Sequence, residues 1–268
     1  MILTISQVCC LNSPFDHDLE DFAAAGCQSV EVWLTKLETY LENHTLKDVR
    51  YWLEKTGVTL AVASFQGGLL ASQGEARREA WDLFRRRLDL CRGLNIGTMV
   101  VACDVPVPLN QQTIERVQVS LTQVAQEAGQ RGLRAALEFH ATSAFGNNLQ
   151  SAAALVADVA SPHLGLCLDA FHFYVGPSKT EDLAYLTAEN LFHVQLCDLT
   201  DTPRELARDS HRILPGDGDI PLAPLIDHLR RIHYPGCISI ELMNPSLWQI
   251  PPLQFADASL AALRRLLS

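Results

Sequence analysis

Four polar groups stand at the ends of apolar, β-branched runs in the second half of this 268-residue chain. Glu138 falls near the end of AALEFH, Asp169 in LGLCLDAFHF, Gln195 in FHVQLCD and Glu241 in ISIELM. Each can bind a hard cation. A carboxylate inside an apolar strand is costly unless it is paired or metal-bound, because desolvating a charge is expensive. Taken singly, each carboxylate reads as a structural group bonded to Lys, Arg or backbone, and Gln195 as a satisfied amide. Repetition at the same end of successive strands shifts the reading toward a divalent cation, which removes the repulsion between neighbouring carboxylates.

Other strand-end residues cluster nearby in sequence. His172 lies three residues beyond Asp169, just past the strand end, where its bland reading is a surface loop histidine. Side chains alternate along a strand, so His140 shares the face of Glu138, and His193 shares that of Gln195 one layer deeper. His140 and His193 are candidate substrate or supporting groups, and satisfied core histidines otherwise. Arg212, in the loop before PGDGD, suits a substrate hydroxyl or oxyanion, with a solvated loop charge as the alternative. Trp33, Lys36 and Gln66 are further candidates to line the pocket.

These groups need a scaffold that brings strand ends together. Eight short runs read as strands: Leu3–Val8, Ser29–Trp33, Thr59–Ser64, Thr98–Cys103, Arg134–Phe139, Leu164–Asp169, Phe192–Asp198 and Cys237–Leu242. Helical stripes alternate with them, as in Trp81, Phe84, Leu88 and Cys91, and again in Ile114, Val117, Leu121, Val124 and Ala128. Those stripes are core packing. No linker or composition shift interrupts the alternation, so residues 1–268 are expected to form one α/β domain, a single (β/α)8 TIM barrel. In such a barrel function sits at the carboxyl ends of the strands.

The formal charge of −10, with no basic cluster, argues against nucleic acid. No window is apolar enough to span a membrane, and the start, MILTISQVCC, lacks the features of a signal peptide, so a cytoplasmic protein is expected. The eight cysteines show no CxxC and no paired spacing, which fits small buried hydrophobes in a reducing compartment. The GDG within Pro215–Asp219 is a turn at the barrel rim, since neither GxxxxGK[ST] nor GxGxxG is present; GxSxG and HExxH are absent too.

The stretches LEFH, LDAFHFYVG, HRILPGDGDIPL and ISIELMNPSLW, with GCQSVEVWLTKLETYL in the first half, resemble the xylose isomerase-like TIM-barrel family, and most closely its inosose (2-keto-myo-inositol) isomerase branch. The resemblance implies one divalent ion held by Glu138, Asp169, Gln195 and Glu241, with Glu138 and Glu241 exchanging a proton and His172 facing substrate. Gln195 stands where inosose isomerases have a histidine, and is similar to the glutamine of hydroxypyruvate isomerases and bacterial 3-dehydroshikimate dehydratases. An all-oxygen donor set favours Mn²⁺ or Mg²⁺ over Zn²⁺. The implied activity is isomerisation or epimerisation of a small polyhydroxy ketone or aldehyde. The alternatives are a dehydratase-like lyase, a hydroxypyruvate isomerase-like activity, phosphodiester hydrolysis as in endonuclease IV, and a non-catalytic sugar-binding barrel. The expected partner is a small polyhydroxy substrate, and a homodimer is compatible with the sequence.

Overall fold

Eight parallel strands close into one barrel in sequence order, with β8 pairing back onto β1. They are β1 (Ile2–Ser6), β2 (Ser29–Trp33), β3 (Thr59–Gln66), β4 (Thr98–Cys103), β5 (Arg134–Phe139), β6 (Leu164–Asp169), β7 (Leu191–Leu196) and β8 (Cys237–Ile240). The computed structural model describes residues 1–268. Helices α1 (Phe15–Ala24), α2 (Leu34–Leu41), α3 (Leu46–Thr56), α4 (Gly74–Gly93), α5 (Gln111–Gly129), α6 (Leu149–Val159), α7 (Ala170–Val175), α8 (Leu222–Arg231) and α9 (Pro252–Leu267) connect or follow the strands. This is the (β/α)8 TIM-barrel fold.

The helical stripes pack as their spacing requires. Trp81, Phe84, Leu88 and Cys91 of α4 and Val117, Leu121, Val124 and Ala128 of α5 are buried, while Ile114 is half-buried. Caps mark several helix starts: the Asn110 and Asn148 side chains accept from the Thr113 and Ser151 amides, closing α5 and α6 at their N-termini. All eight cysteines are unpaired and buried. No helix is long and apolar enough to cross a membrane.

Four strands differ in their bounds from the sequence reading. The apolar run of β1 continues beyond Ser6 as a buried 3₁₀ turn, Gln7–Cys10, rather than as strand to Val8. β3 runs on to Gln66, with a register shift against β4 that lets Phe65 reach the barrel mouth. β7 starts a residue early and stops at Leu196, because the Asp198 amide and carbonyl pair with Ile213 of the following loop. β8 stops at Ile240, so Glu241 sits just past its end, its amide still donating to the Leu196 carbonyl at 3.1 Å.

The barrel interior is layered. A small apolar cluster of Val62, Val100, Ala136, Cys167, Phe192 and Cys237 fills part of it. A register slip between β6 and β7 at Leu166 and Cys167 accompanies the inward packing of Phe192, whose ring approaches Gly165 so closely that a Cβ there would meet it at 2.7 Å. Around the carboxyl ends the interior turns polar, with Glu31, His193 and Gln195 fully buried.

Candidate active site

Glu138 occupies the penultimate position of β5, Asp169 the last of β6, Gln195 the penultimate of β7, and Glu241 the first position beyond β8. All lie at the end of the barrel where the βα loops converge. One oxygen from each of Glu138, Asp169 and Glu241 lies within 4.8 Å of the others. Glu138 and Glu241 open into a cavity of about 470 Å³, together with His140, His172 and Arg212. Trp33, Phe65, Phe171 and Met243 give it an apolar wall.

Helix α7 begins directly after Asp169, and this places His172 beside it. Asp169 Oδ1 accepts the Phe171 amide at 2.7 Å and caps the helix, while Oδ2 faces the site. His172 then comes round three residues later, its Nε2 3.8 Å from both Asp169 Oδ2 and Glu138 Oε1. The Ala141 amide donates to His172 Nδ1 at 3.4 Å, which leaves the proton of the neutral ring on Nε2, facing the carboxylates. Burial holds the His172 pKa below the ordinary histidine value despite Asp169 and Glu138. His172 is therefore a neutral hydrogen-bond donor and not a surface histidine. His140 stacks on it with ring centroids 4.5 Å apart and approaches Glu138 Oε2 to 3.2 Å.

The two glutamates are pulled in opposite directions. Burial alone would raise Glu138, but His140, His172 and Arg212 outweigh it and hold the carboxyl well below its usual range. Glu241 is raised well above that range by burial and, with Arg212 opposing, by Glu31, Glu138 and Asp169. A pair of carboxyls driven apart in this way is the arrangement general acid–base chemistry uses.

Arg212 is no solvated loop charge: it is 1% exposed. Its Nη2 donates to Asp169 Oδ2 at 2.7 Å and its Nη1 to Glu241 Oε2 at 3.0 Å, while Asp209 takes further bonds from Nε and Nη2. The guanidinium lies 4.4 Å from the Phe171 ring centroid. The loop that carries it is folded around buried Asp198, whose oxygens accept the amides of Leu199, Gly216 and Ile220. At Gly218 any Cβ would collide with the Leu199 carbonyl and the Asp198 carboxylate, so the GDG turn needs its second glycine for close approach.

Gln195 departs from its expected role as an oxygen ligand. Its Nε2, not its oxygen, faces the carboxylates, donating to Glu31 Oε1 and Glu241 Oε1, each at 2.9 Å. Its Oε1 accepts the Cys167 thiol at 3.1 Å. Two carboxylates around one amide demand its N–H groups, which sets this orientation. Glu31 lies outside the strand-end candidates of the sequence, although a carboxylate in SVEVW carries the same signal as Glu138. It is fully buried and also meets His193 Nε2 at 3.0 Å. Burial alone would raise Glu31, but His193 outweighs it and holds the carboxyl below its usual value.

Three other sequence candidates sit elsewhere. His193 is wholly buried beneath the cavity and does not line it. Gln66 is outside the cavity lining, its amide engaged by Arg87 at 3.1 Å and the Gly67 carbonyl at 2.7 Å, because the β3 irregularity gives the mouth to Phe65 instead. Lys36 lines a neighbouring cleft of about 480 Å³ on the other side of Trp33, where its ammonium binds Asp18 and the Cys10 carbonyl, both at 2.6 Å. Trp33 lines both spaces.

The donor set fits a divalent cation. Three converging carboxylates, with Glu31 close behind them, meet only one guanidinium, and their repulsion adds to the burial that pushes Glu241 upward. Fold and site together define a TIM barrel with an oxygen-rich, metal-competent centre at its carboxyl end. The family model for the xylose isomerase-like TIM barrel matches residues 19–266, and the chain belongs to that family. It is 28% identical to the inosose isomerase of Halalkalibacterium halodurans, across 89% of this chain and 86% of that one. It is 25% identical to the 3-dehydroshikimate dehydratase of Pseudomonas putida, across 94% of this chain but only 40% of that longer protein. The crystal structure of the IolI protein with a bound zinc atom superposes with a TM-score of 0.93 at 23% identity, covering 100% of this chain and 98% of that one.

Proposed function

We propose that the protein is a divalent-metal-dependent isomerase or epimerase of a small polyhydroxy ketone or aldehyde, with an inosose-like ketone as the leading substrate. The observation that carries this reading is geometric: Glu138 and Glu241 open into one cavity, and one oxygen from each of Glu138, Asp169 and Glu241 lies within 4.8 Å of the others. Glu138, Asp169 and Glu241 would hold the ion, while Gln195 turns its amide nitrogen to Glu241 and braces that carboxyl. Bound there, a divalent ion supplies Lewis-acid polarisation of a substrate carbonyl.

The chain's own residues supply the proton traffic. Glu138, kept ionised by its histidine neighbours, takes the proton from the carbon next to the carbonyl. Glu241 returns one, to the opposite face of that carbon in an epimerase or to the adjacent position in an isomerase. The His172 Nε2–H donates to the substrate oxygen on which charge develops. The walls of Trp33, Phe65 and Phe171 receive the apolar face of the sugar and limit water around the reacting carbon.

The test uses metal-stripped protein reloaded with Mn²⁺, Mg²⁺ or Zn²⁺ and offered inosose-like ketones and ketoses in D₂O. We expect deuterium at the carbon beside the carbonyl, fastest with Mn²⁺ or Mg²⁺. No exchange from any sugar with any ion would overturn the reading. An aromatic ultraviolet product from 3-dehydroshikimate would assign the chain to dehydration instead.

A further inference from the structure

We propose that Glu31 is a positioning residue of this site: from β2 it grips the amide nitrogen of Gln195, and through that amide it fixes how the end of β7 meets Glu241. The inference rests on the reading of Glu138, Asp169 and Glu241 as the active centre, but its geometry is independent of any ion.

Glu31 is fully buried, and its carboxylate has no lysine or arginine partner. It accepts the Gln195 amide on Oε1, at 2.9 Å, and meets the His193 ring on Oε2, at 3.0 Å, while the Ser239 and Ser64 hydroxyls also favour its ionised form. An ionised carboxylate only accepts, so both neighbours must donate to it. That settles two choices a buried amide and imidazole otherwise leave open. Gln195 must turn its nitrogen toward Glu31, and His193 must carry a proton on Nε2.

Gln195 Nε2 has a second hydrogen, and this reaches Glu241 Oε1 at 2.9 Å. The amide therefore bridges two carboxylates from strands on either side of β1, one deep in the barrel and one lining the cavity. With its amide turned over, Gln195 would set its oxygen against the Glu31 carboxylate. A carboxylate buried with only an imidazole as possible countercharge is an expensive way to fill space, and an apolar side chain packs there more cheaply. The role that explains it is orientation. His193 supports the same reading, since its Nδ1 has no partner in the barrel and Glu31 alone holds the ring by a hydrogen bond.

Glu31→Leu removes the acceptor while keeping the volume apolar, so the fold should survive. Titrated with Mn²⁺ by calorimetry, that variant should bind about 10–100-fold more weakly than the parent protein, the range typical of lost supporting contacts. Gln195→Leu should also bind weakly, and adding Glu31→Leu to it should cause no further loss. Unchanged affinity in Glu31→Leu, or losses that add in the double variant, would overturn the proposal, because a role in general charge or stability does not need Gln195. A second readout needs no metal. In ¹⁵N spectra of the metal-free protein the Gln195 side-chain N–H₂ should exchange slowly with solvent and lose that protection in Glu31→Leu. If the parent chain binds no Mn²⁺, the metal reading fails and this amide readout alone decides: protection equal in both proteins sinks the role of Glu31. Should Glu31→Leu not fold, Glu31→Gln carries the same comparisons with one acceptor oxygen left instead of two.

Discussion

Glu138 and Glu241 are the same residue type at equivalent strand ends, yet their surroundings give them opposite tasks. In the metal-free protein, histidines and Arg212 keep the first ionised, whereas burial among carboxylates favours the proton on the second. Glu241→Gln keeps one oxygen that can face the ion or Arg212 but cannot shuttle a proton. We expect turnover to fall by about 10²–10⁴, the usual worth of general acid–base catalysis, with metal content per chain falling far less. Steady-state kinetics and metal analysis on one preparation check this. Arg212 has a different duty, since its guanidinium spans Asp169 and Glu241 and is the one fixed cation among them. Arg212→Met strips that charge and leaves buried carboxylates facing each other. The metal-free protein should lose about 3–5 kcal/mol, as when one partner of a buried pair is removed. Mn²⁺ should recover a large part by taking over the neutralisation. Urea melts with and without the ion measure both, and an Arg212→Met protein as stable as its parent without metal would show that the bridge carries no weight.

At the scale of elements, the β7–α8 connection shows how backbone order delivers a side chain. Asp198 accepts three amides of its own loop and so fixes the path that brings Arg212 back over the barrel mouth. Asp198→Ala orphans those amides. Hydrogen bonds to a charged group contribute about 1.5–3 kcal/mol each, so stability should drop by at least about 2 kcal/mol, and kcat should fall although Asp198 touches no substrate. Denaturant melts and kinetics follow the two effects, and full activity in the variant would detach the loop from the site. This connection also marks a boundary of what the sequence discloses. The ends of β5 and β6 are legible because Glu138 and Asp169 interrupt apolar runs. The end of β1 is not, since QVCC is as apolar as the strand before it and only the turn's hydrogen bonds distinguish them. Glu31 interrupts an apolar strand as Glu138 does, but it falls in the middle of SVEVW, two residues short of the end that faces the mouth, so strand-end position does not mark it. The burial of Arg212 is equally silent, being decided by a loop fold that depends on Asp198 and on Gly218 as well as on the local sequence. Gln66 misleads for a related reason: inward or outward facing at the end of β3 is set by a register shift that composition does not encode.

For the whole molecule, the barrel joins groups far apart in sequence, and an ion held by them would tie β5, β6 and β8 together at one end. Because the unfolded chain scatters Glu138, Asp169 and Glu241 along the sequence, a cation that binds the folded site has little affinity for the unfolded state, and its binding energy becomes folding stability. The metal-free barrel already carries a net charge of −10, and it concentrates buried carboxylates at its mouth, so the ion acts where self-repulsion is greatest. At free Mn²⁺ a hundredfold above its dissociation constant the gain is about 2.7 kcal/mol, and at about 2–4 °C per kcal/mol for a chain of this size the midpoint should rise by roughly 5–10 °C. Each further tenfold in free ion should add about 1.4 kcal/mol more. Melting the chelator-treated protein across a Mn²⁺ series tests this, with Asp169→Ala as the control that should flatten the dependence. A midpoint that ignores Mn²⁺ in the parent chain would mean that the carboxylate cluster is balanced by Arg212 and protons alone. A rise that persists in Asp169→Ala would place the ion somewhere other than the barrel mouth.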